Sequence, residues 1–175
     1  MERGALLSIV HNGAKNLNQL QAIQKAIHQA VRIQKVSSIY EVKSDFTESH
    51  QHTDAVTFMG QSLCYVVHVY FDGETKDLHR VVKTIEQQEN SKLEKEFVQI
   101  ELLCHEDEIL MLPTLTLPHP GLHQKAEYLV PASEILPGYE HPIIERSLLQ
   151  IESADKYKGK VYFYAQSKNL VDFTT

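Results

Sequence analysis

An α+β fold built on a split βαβ sheet, as in ferredoxin-like domains, is predicted by two observations. Strand and helix periodicities alternate in the order strand, helix, strand, strand, helix, strand as far as Cys104, which is the element order of that motif. Both helical stretches carry apolar residues three or four apart, so each has one face to lay on a sheet.

The first strand is Ala5-Leu6-Leu7-Ser8-Ile9-Val10, an apolar run closed by the turn-type His11-Asn12-Gly13. Asn16 is placed to cap a helix whose stripe is Leu17, Leu20, Ile23, Ile27 and Val31. Residues 36–42 form the second strand, and the polar residues 43–60 a loop suited to variability or partner contact. The run from Leu63 to Phe71 is rich in β-branched and aromatic residues and ends at Asp72-Gly73. Thr75 caps a second helix carrying Leu78, Val81, Val82 and Ile85. After the charged residues 90–96, Phe97 to Cys104 is a largely buried strand, and Glu106-Asp107-Glu108 turns into Ile109-Leu110-Met111-Leu112. Beyond this, a proline-punctuated stretch leads to a short helix over Ile143–Ile151 and a strand at Val161-Tyr162-Phe163-Tyr164.

The 175 residues suffice for one domain, 1–175, that buries roughly two thirds of its unfolded surface. Seventeen Lys and Arg against 23 Asp and Glu give a formal charge of -6, which disfavours nucleic-acid and anionic-membrane partners. No apolar run is long enough to span a bilayer, and the stretch after Met1-Glu2-Arg3 is too short for a signal sequence. A cytoplasmic protein is therefore expected. Cys64 and Cys104 sit singly inside apolar runs, as buried strand thiols rather than a disulfide or metal pair. His50, His52, His105, His123 and His141 are too scattered for a linear zinc motif, which leaves only convergence in space.

The motifs Leu117-Pro118-His119-Pro120 and Pro131-Ala132-Ser133-Glu134-Ile135, with Ser38-Ile39-Tyr40-Glu41, Ile85-Glu86 and the strand Val98 to Leu103, resemble the 6-hydroxymethyl-7,8-dihydropterin pyrophosphokinase family. The resemblance covers residues 5–137 as a pyrophosphokinase-like core and leaves 138–175 as an additional helix and strand. It implies transfer of the β,γ-diphosphate of ATP to the pterin hydroxymethyl group, with AMP released, and Mg²⁺ and ATP as cofactors. The family's two metal-holding aspartates correspond to Gln99 and Glu101, which two-residue strand spacing places on one face. Gln99 offers only a neutral oxygen, and Mg²⁺ demands tight oxygen geometry at about 2.0 to 2.1 Å. Two readings follow: a solvent-facing pair without metal, or one weak Mg²⁺ site on Glu101 with Gln99.

Other positions depart in the same direction. Asn12 is retained from the family's Gly-Ser-Asn, whereas Cys64 stands where an asparagine contacts the pterin. Gly121 and Lys125 stand where arginines follow His-Pro, Glu127 where an aromatic stacks on the pterin, and Glu96 where an arginine precedes the metal strand. Lysine is a point charge where arginine forks bidentately, and glutamate repels phosphate. His119 matches the family histidine near the ATP phosphates; the alternative is a turn histidine whose imidazole caps a backbone carbonyl. Prolines 118, 120, 131 and 137 shape loops, and Glu134-Ile135 anchors one to the core.

These departures predict diphosphoryl transfer lost or strongly reduced, leaving a ligand-binding or interaction module. The alternative is a divergent active enzyme of folate biosynthesis in which Gln99, Glu101, His119 and Lys125 are catalytic. In it, Asn12, His119 and Lys125 meet the nucleotide, and Cys64 and Glu127 line the pterin side. The partners expected are a nucleotide or pterin-like small molecule and a second copy paired through the C-terminal strand. The tail is expected to cover part of the ligand cleft.

Overall fold

The computed structural model describes residues 1–14, 16–42 and 61–169. The strands and helices run in the order β1 (Arg3–Ala14), α1 (Leu17–Ala30), β2 (Arg32–Val36), β3 (Ile39–Val42), β4 (Gln61–Phe71), α2 (Thr75–Asn90), β5 (Phe97–His105), β6 (Leu110–Leu112), β7 (Leu115–Leu117), α3 (Ala126–Ile135), α4 (Leu148–Glu152) and β8 (Val161–Ala165). The main sheet has the order β5-β1-β4-β3-β8, with β2 also on β4, and every pairing is antiparallel. This is the predicted split βαβ sheet, with the second predicted strand supplied as β2 and β3.

Alternation along β1 makes two cores. Ala5, Leu7 and Ile9 pack with Leu20, Ile23 and Ile27 of α1 and Leu78 and Val82 of α2. Leu6 and Val10 face the other way, toward Leu122 and toward Leu129 and Ala132 of α3. The sheet is thus covered on both faces, because strand side chains alternate between them.

Several boundaries differ from the sequence expectation. β1 runs through His11-Asn12-Gly13, because a register shift between Asn12 and Ala14 carries it past Gly13, which adopts φ 81°. A Cβ there would meet Glu96 Cγ at 3.2 Å, so glycine suits both the backbone and the space. The strand expected at 36–42 is broken at buried Ser37, whose N–H donates to Val66 O at 2.9 Å while its Oγ accepts from Val66 N. Thr75 is not the cap of α2 but its first residue; its hydroxyl is taken by His105 Nδ1 at 2.8 Å and by Glu108.

Pro131 lies inside α3 rather than in a loop. Its missing N–H removes one helix bond, but buried Tyr128, Leu129, Ala132 and Ile135 hold the helix to the sheet. The anchor expected at Glu134 is present: its carboxylate accepts from Ser38 N at 3.0 Å, Ser38 Oγ at 2.8 Å and Tyr40 Oη at 2.7 Å. The helix expected at 143–151 starts at Leu148, where Ser147 and Gln150 form a capping box. Before it, Glu145 at φ 57° and His141 Nδ1, accepting from Ile143 and Ile144, shape a turn instead. The C-terminal strand extends the sheet by pairing with β3. No helix among the described residues is long and apolar enough to cross a membrane.

Candidate active site

β5 is an edge strand, and that decides what its polar residues meet. Gln99 pairs with Val10 and Glu101 with Ser8, so both side chains lie on the α3 face of the sheet. Gln99 is exposed and Glu101 half-buried, because α3 covers the middle of that face and leaves its β5 border open. The cross-strand row from Gln99 continues through Val10, Cys64, Tyr40 and Phe163.

Cys64 lies in the middle of that row, fully buried beneath α3. Burial pushes its thiol well above the ordinary range. This bears out the buried-thiol reading and corrects the expectation that Cys64 meets a substrate, since no surface of it is open to one.

His119 comes to Glu101 from the segment after β7. Its backbone N–H donates to Leu103 O at 2.7 Å, and its Nδ1 accepts the Gly121 N–H at 2.9 Å. That bond assigns the ring proton to Nε2, which faces Glu101 Oε2 at 3.9 Å. Burial lowers the proton affinity of His119, Glu101 opposes this, and Lys125 and Lys83 add to it. The ring is thus a neutral donor aimed at the β5 border, and the backbone group it binds is an N–H rather than a carbonyl.

Tyr128 joins these groups and was missed in the sequence. Its ring lies edge-on to His119 with centroids 5.5 Å apart, and Lys125 Nζ sits 5.2 Å from its centroid. Burial first, then the Glu101 charge, pushes its hydroxyl up to about 12. A Cβ on Gly121 would meet the Tyr128 ring at 2.7 Å, so the glycine standing where the family has an arginine makes room for this ring. An aromatic next to Glu127 was the available signal.

α2 supplies what the loop before β5 lacks. Lys76, His79, Arg80 and Lys83 recur at helical spacing and line a cavity of about 450 Å³ against Leu112 and Leu115. An adjoining cavity of about 270 Å³ shares His79, Thr114 and Leu115 and is bordered by Glu101 and His119. Lys83 reaches over the sheet edge to Glu101 Oε1 at 3.1 Å. Glu101, His119, Lys83 and His79 therefore meet at one cleft, with Lys125 beyond Tyr128.

The remaining predicted residues lie apart from that meeting point. Asn12 accepts from Ser62 Oγ at 3.0 Å, and its buried Nδ2 has no hydrogen-bond partner among the described residues. Glu127 is half-buried in the first turn of α3, within electrostatic reach of Cys64. Among the described residues, neither cavity is lined by any beyond Pro120. The tail instead packs on the α3 side, with Tyr157 donating to His123 O and Leu148 and Ile151 in that core, which corrects the expectation that it covers this cleft.

Among the described residues no three His, Cys, Asp or Glu side chains form a metal-binding group. His123 and His141 pack edge-on at 5.1 Å and His105 binds Thr75; His50 and His52 lie outside the described residues. The donors at the β5 border are hard oxygens, the Glu101 carboxylate and the Gln99 amide. This set fits one Mg²⁺ completed by phosphate and water, since that ion is commonly held by one or two carboxylates plus substrate.

Comparison with known proteins bears on the family and the fold. The family model for 7,8-dihydro-6-hydroxymethylpterin-pyrophosphokinase (HPPK) matches residues 6–137. A 2-amino-4-hydroxy-6-hydroxymethyldihydropteridine pyrophosphokinase of Aquifex aeolicus is 26% identical over 143 residues, covering 79% of this chain and 83% of the relative. The crystal structure of Plasmodium falciparum HPPK-DHPS with pteroate superposes with a TM-score of 0.72 at 11% identity, over 93% of this chain and 46% of that one. An HPPK-DHPS structure in complex with substrates gives 0.67 at 12% identity, over 93% and 46%. This chain thus spans about half the length of those two structures, and the likeness to them is one of fold.

Proposed function

The chain belongs to the 7,8-dihydro-6-hydroxymethylpterin-pyrophosphokinase family, and we propose that it retains ATP-dependent diphosphoryl transfer to a hydroxymethyl-dihydropterin at a reduced rate. The observation that carries this is the convergence of Glu101, His119 and Lys83 on a cleft whose other wall is the cationic face of α2. Phosphoryl transfer needs positioning and charge neutralisation more than covalent help. Lys76, Arg80 and Lys83 offer positive charge along the cleft, and neutral His119 offers its Nε2–H to a phosphate oxygen. Lys125, beyond the Tyr128 ring, stands where a further oxygen can reach it. Glu101, with the Gln99 amide, would hold a divalent cation, which when bound neutralises phosphate charge.

The rate is reduced because a neutral amide replaces one carboxylate and single-point lysines replace forked arginines. Each missing contact made only in the transition state lowers kcat and kcat/KM together. The pterin side lacks the amide that buried Cys64 replaces. A second reading, binding without turnover, is favoured by one observation, the uncharged Gln99.

The test is AMP release from ATP at millimolar Mg²⁺, with and without 6-hydroxymethyl-7,8-dihydropterin, for the wild-type chain and Glu101→Ala. Pterin-dependent AMP lost in the variant supports the enzyme. ATP binding without AMP from either protein leaves the binding module.

A further inference from the structure

Lys83 belongs to α2, which packs on the sheet face opposite Glu101. Its side chain crosses the β5 edge, and its ammonium ends among three oxygens: Ile100 O at 2.9 Å, Glu101 Oε1 at 3.1 Å and Glu86 Oε2 at 3.2 Å. These match an ammonium's three donors. Glu86 is itself fixed, accepting the Ile100 N–H at 2.6 Å. The cation is therefore seated on the strand edge, with Lys83 one-third exposed and Glu101 about as covered.

That seat lies where a divalent cation would use the same carboxylate. Gln99 brings no charge, so Glu101 is the only acidic side chain bordering the cleft beside His119 among the described lining residues. One of its oxygens is held by Lys83 and the other faces the Nε2–H of His119. A dication approaching Oε1 meets a positive charge already in place, and like charges at such separations oppose each other appreciably in a partly covered site.

We propose that Lys83 is the resident counter-ion of Glu101, and that its ammonium exchanges with a divalent cation, setting how strongly nucleotide binding depends on that cation. The inference rests on the nucleotide reading above. While the ammonium stays, shared between Glu101 and Glu86, it offsets part of the Glu101 charge and the cleft accepts polyphosphate without metal. When a divalent cation takes Glu101, the freed ammonium lies on the cleft wall beside the phosphates. Lys83 is thus a positioning residue for the cation, acting through Glu101.

The experiment measures two affinities on the full chain, for wild type, Lys83→Met, Lys83→Arg and Glu101→Gln. Mn²⁺ alone is titrated by the electron paramagnetic resonance of the free ion, and ATP in excess chelator by equilibrium dialysis. Lys83→Met is expected to bind Mn²⁺ about tenfold more tightly and metal-free ATP about tenfold more weakly, the size of one solvent-screened charge contact. Lys83→Arg keeps the charge, so it retains metal-free ATP binding and keeps the proposal testable if the methionine variant does not fold. Glu101→Gln abolishes the Mn²⁺ response. Unchanged Mn²⁺ affinity in Lys83→Met, or both affinities moving in one direction, overturns the exchange. Those results alongside pterin-dependent AMP release would sink this inference alone; opposite shifts without AMP release would sink only the enzymatic reading.

Discussion

The two faces of the central sheet are closed in different ways. Toward α1 and α2, the strands present Leu7, Ile9, Leu63, Tyr65, Val67, Ile100 and Leu102, all buried in one apolar cluster. On the other face the same strands carry Ser8, Asn12, Cys64, Gln99 and Glu101, and α3 covers the middle only. One face is sealed by packing, whereas the other leaves the β5 border open to the cleft of Glu101 and His119. The difference teaches that alternation sets the core while the uncovered strand edge sets the chemistry. One strand further in, polar Ser8 is buried under neighbours, and two strands in, Cys64 meets helix rather than ligand.

Ways to break this contrast can be ranked by expected effect. Truncating the sealed face should hurt most: Ile27→Ala, at a fully buried position, is expected to lose about 2–5 kcal/mol in a denaturant titration. On the open face, Gly121→Ala drives a methyl group to 2.7 Å from the Tyr128 ring and 3.0 Å from His119 Nδ1. It should lose about 1–3 kcal/mol and also weaken ATP binding, which Ile27→Ala does not do selectively. Glu134→Ala removes the acceptor of Ser38 and Tyr40 and should cost about 1 kcal/mol, because the site is solvent-accessible. Phe163→Ser, at an exposed position on the outer strand, should stay within about 0.5 kcal/mol.

Acidity acts across both faces. His11, His68, His79, His105, His119, His123 and His141 all bind protons less tightly than the ordinary 6.5, in each case first through burial. Folding therefore releases protons below that pH. The stability they contribute is complete above 6.5 and is lost as pH falls toward the folded values. Thermal melts should show Tm falling between neutrality and pH 5, with a shallower slope in His141→Asn.

The sealed face was legible because its information is local. The stripe of α1, its Asn16 cap, and the runs of β1, β4 and β5 follow from periods of 3.6 and 2 within single segments. The open face was legible only in part. Gln99, Glu101 and His119 could be named from their motifs, and the structure brings Glu101 and His119 together. Lys83 could not, since its partner lies 18 residues on and across a sheet edge, and no spacing rule reports a side chain rounding an edge. Tyr128 could not either, since its ring reaches His119 only through the close fit against Gly121. Thr75 and Pro131 misled because a tertiary partner outweighed the local preference: His105 and Glu108 claim the hydroxyl, and the α3 packing keeps the proline in helix.

Hydrogen–deuterium exchange with and without Mg²⁺ and ATP tests the central claim most directly, because it reads both faces in one sample. The account predicts slowed exchange in residues 76–87 of α2 and in residues 110–121, with no change in residues 139–165. Protection confined to α3 and the C-terminal residues, with none at α2, would contradict it and move the nucleotide to the other end of the sheet.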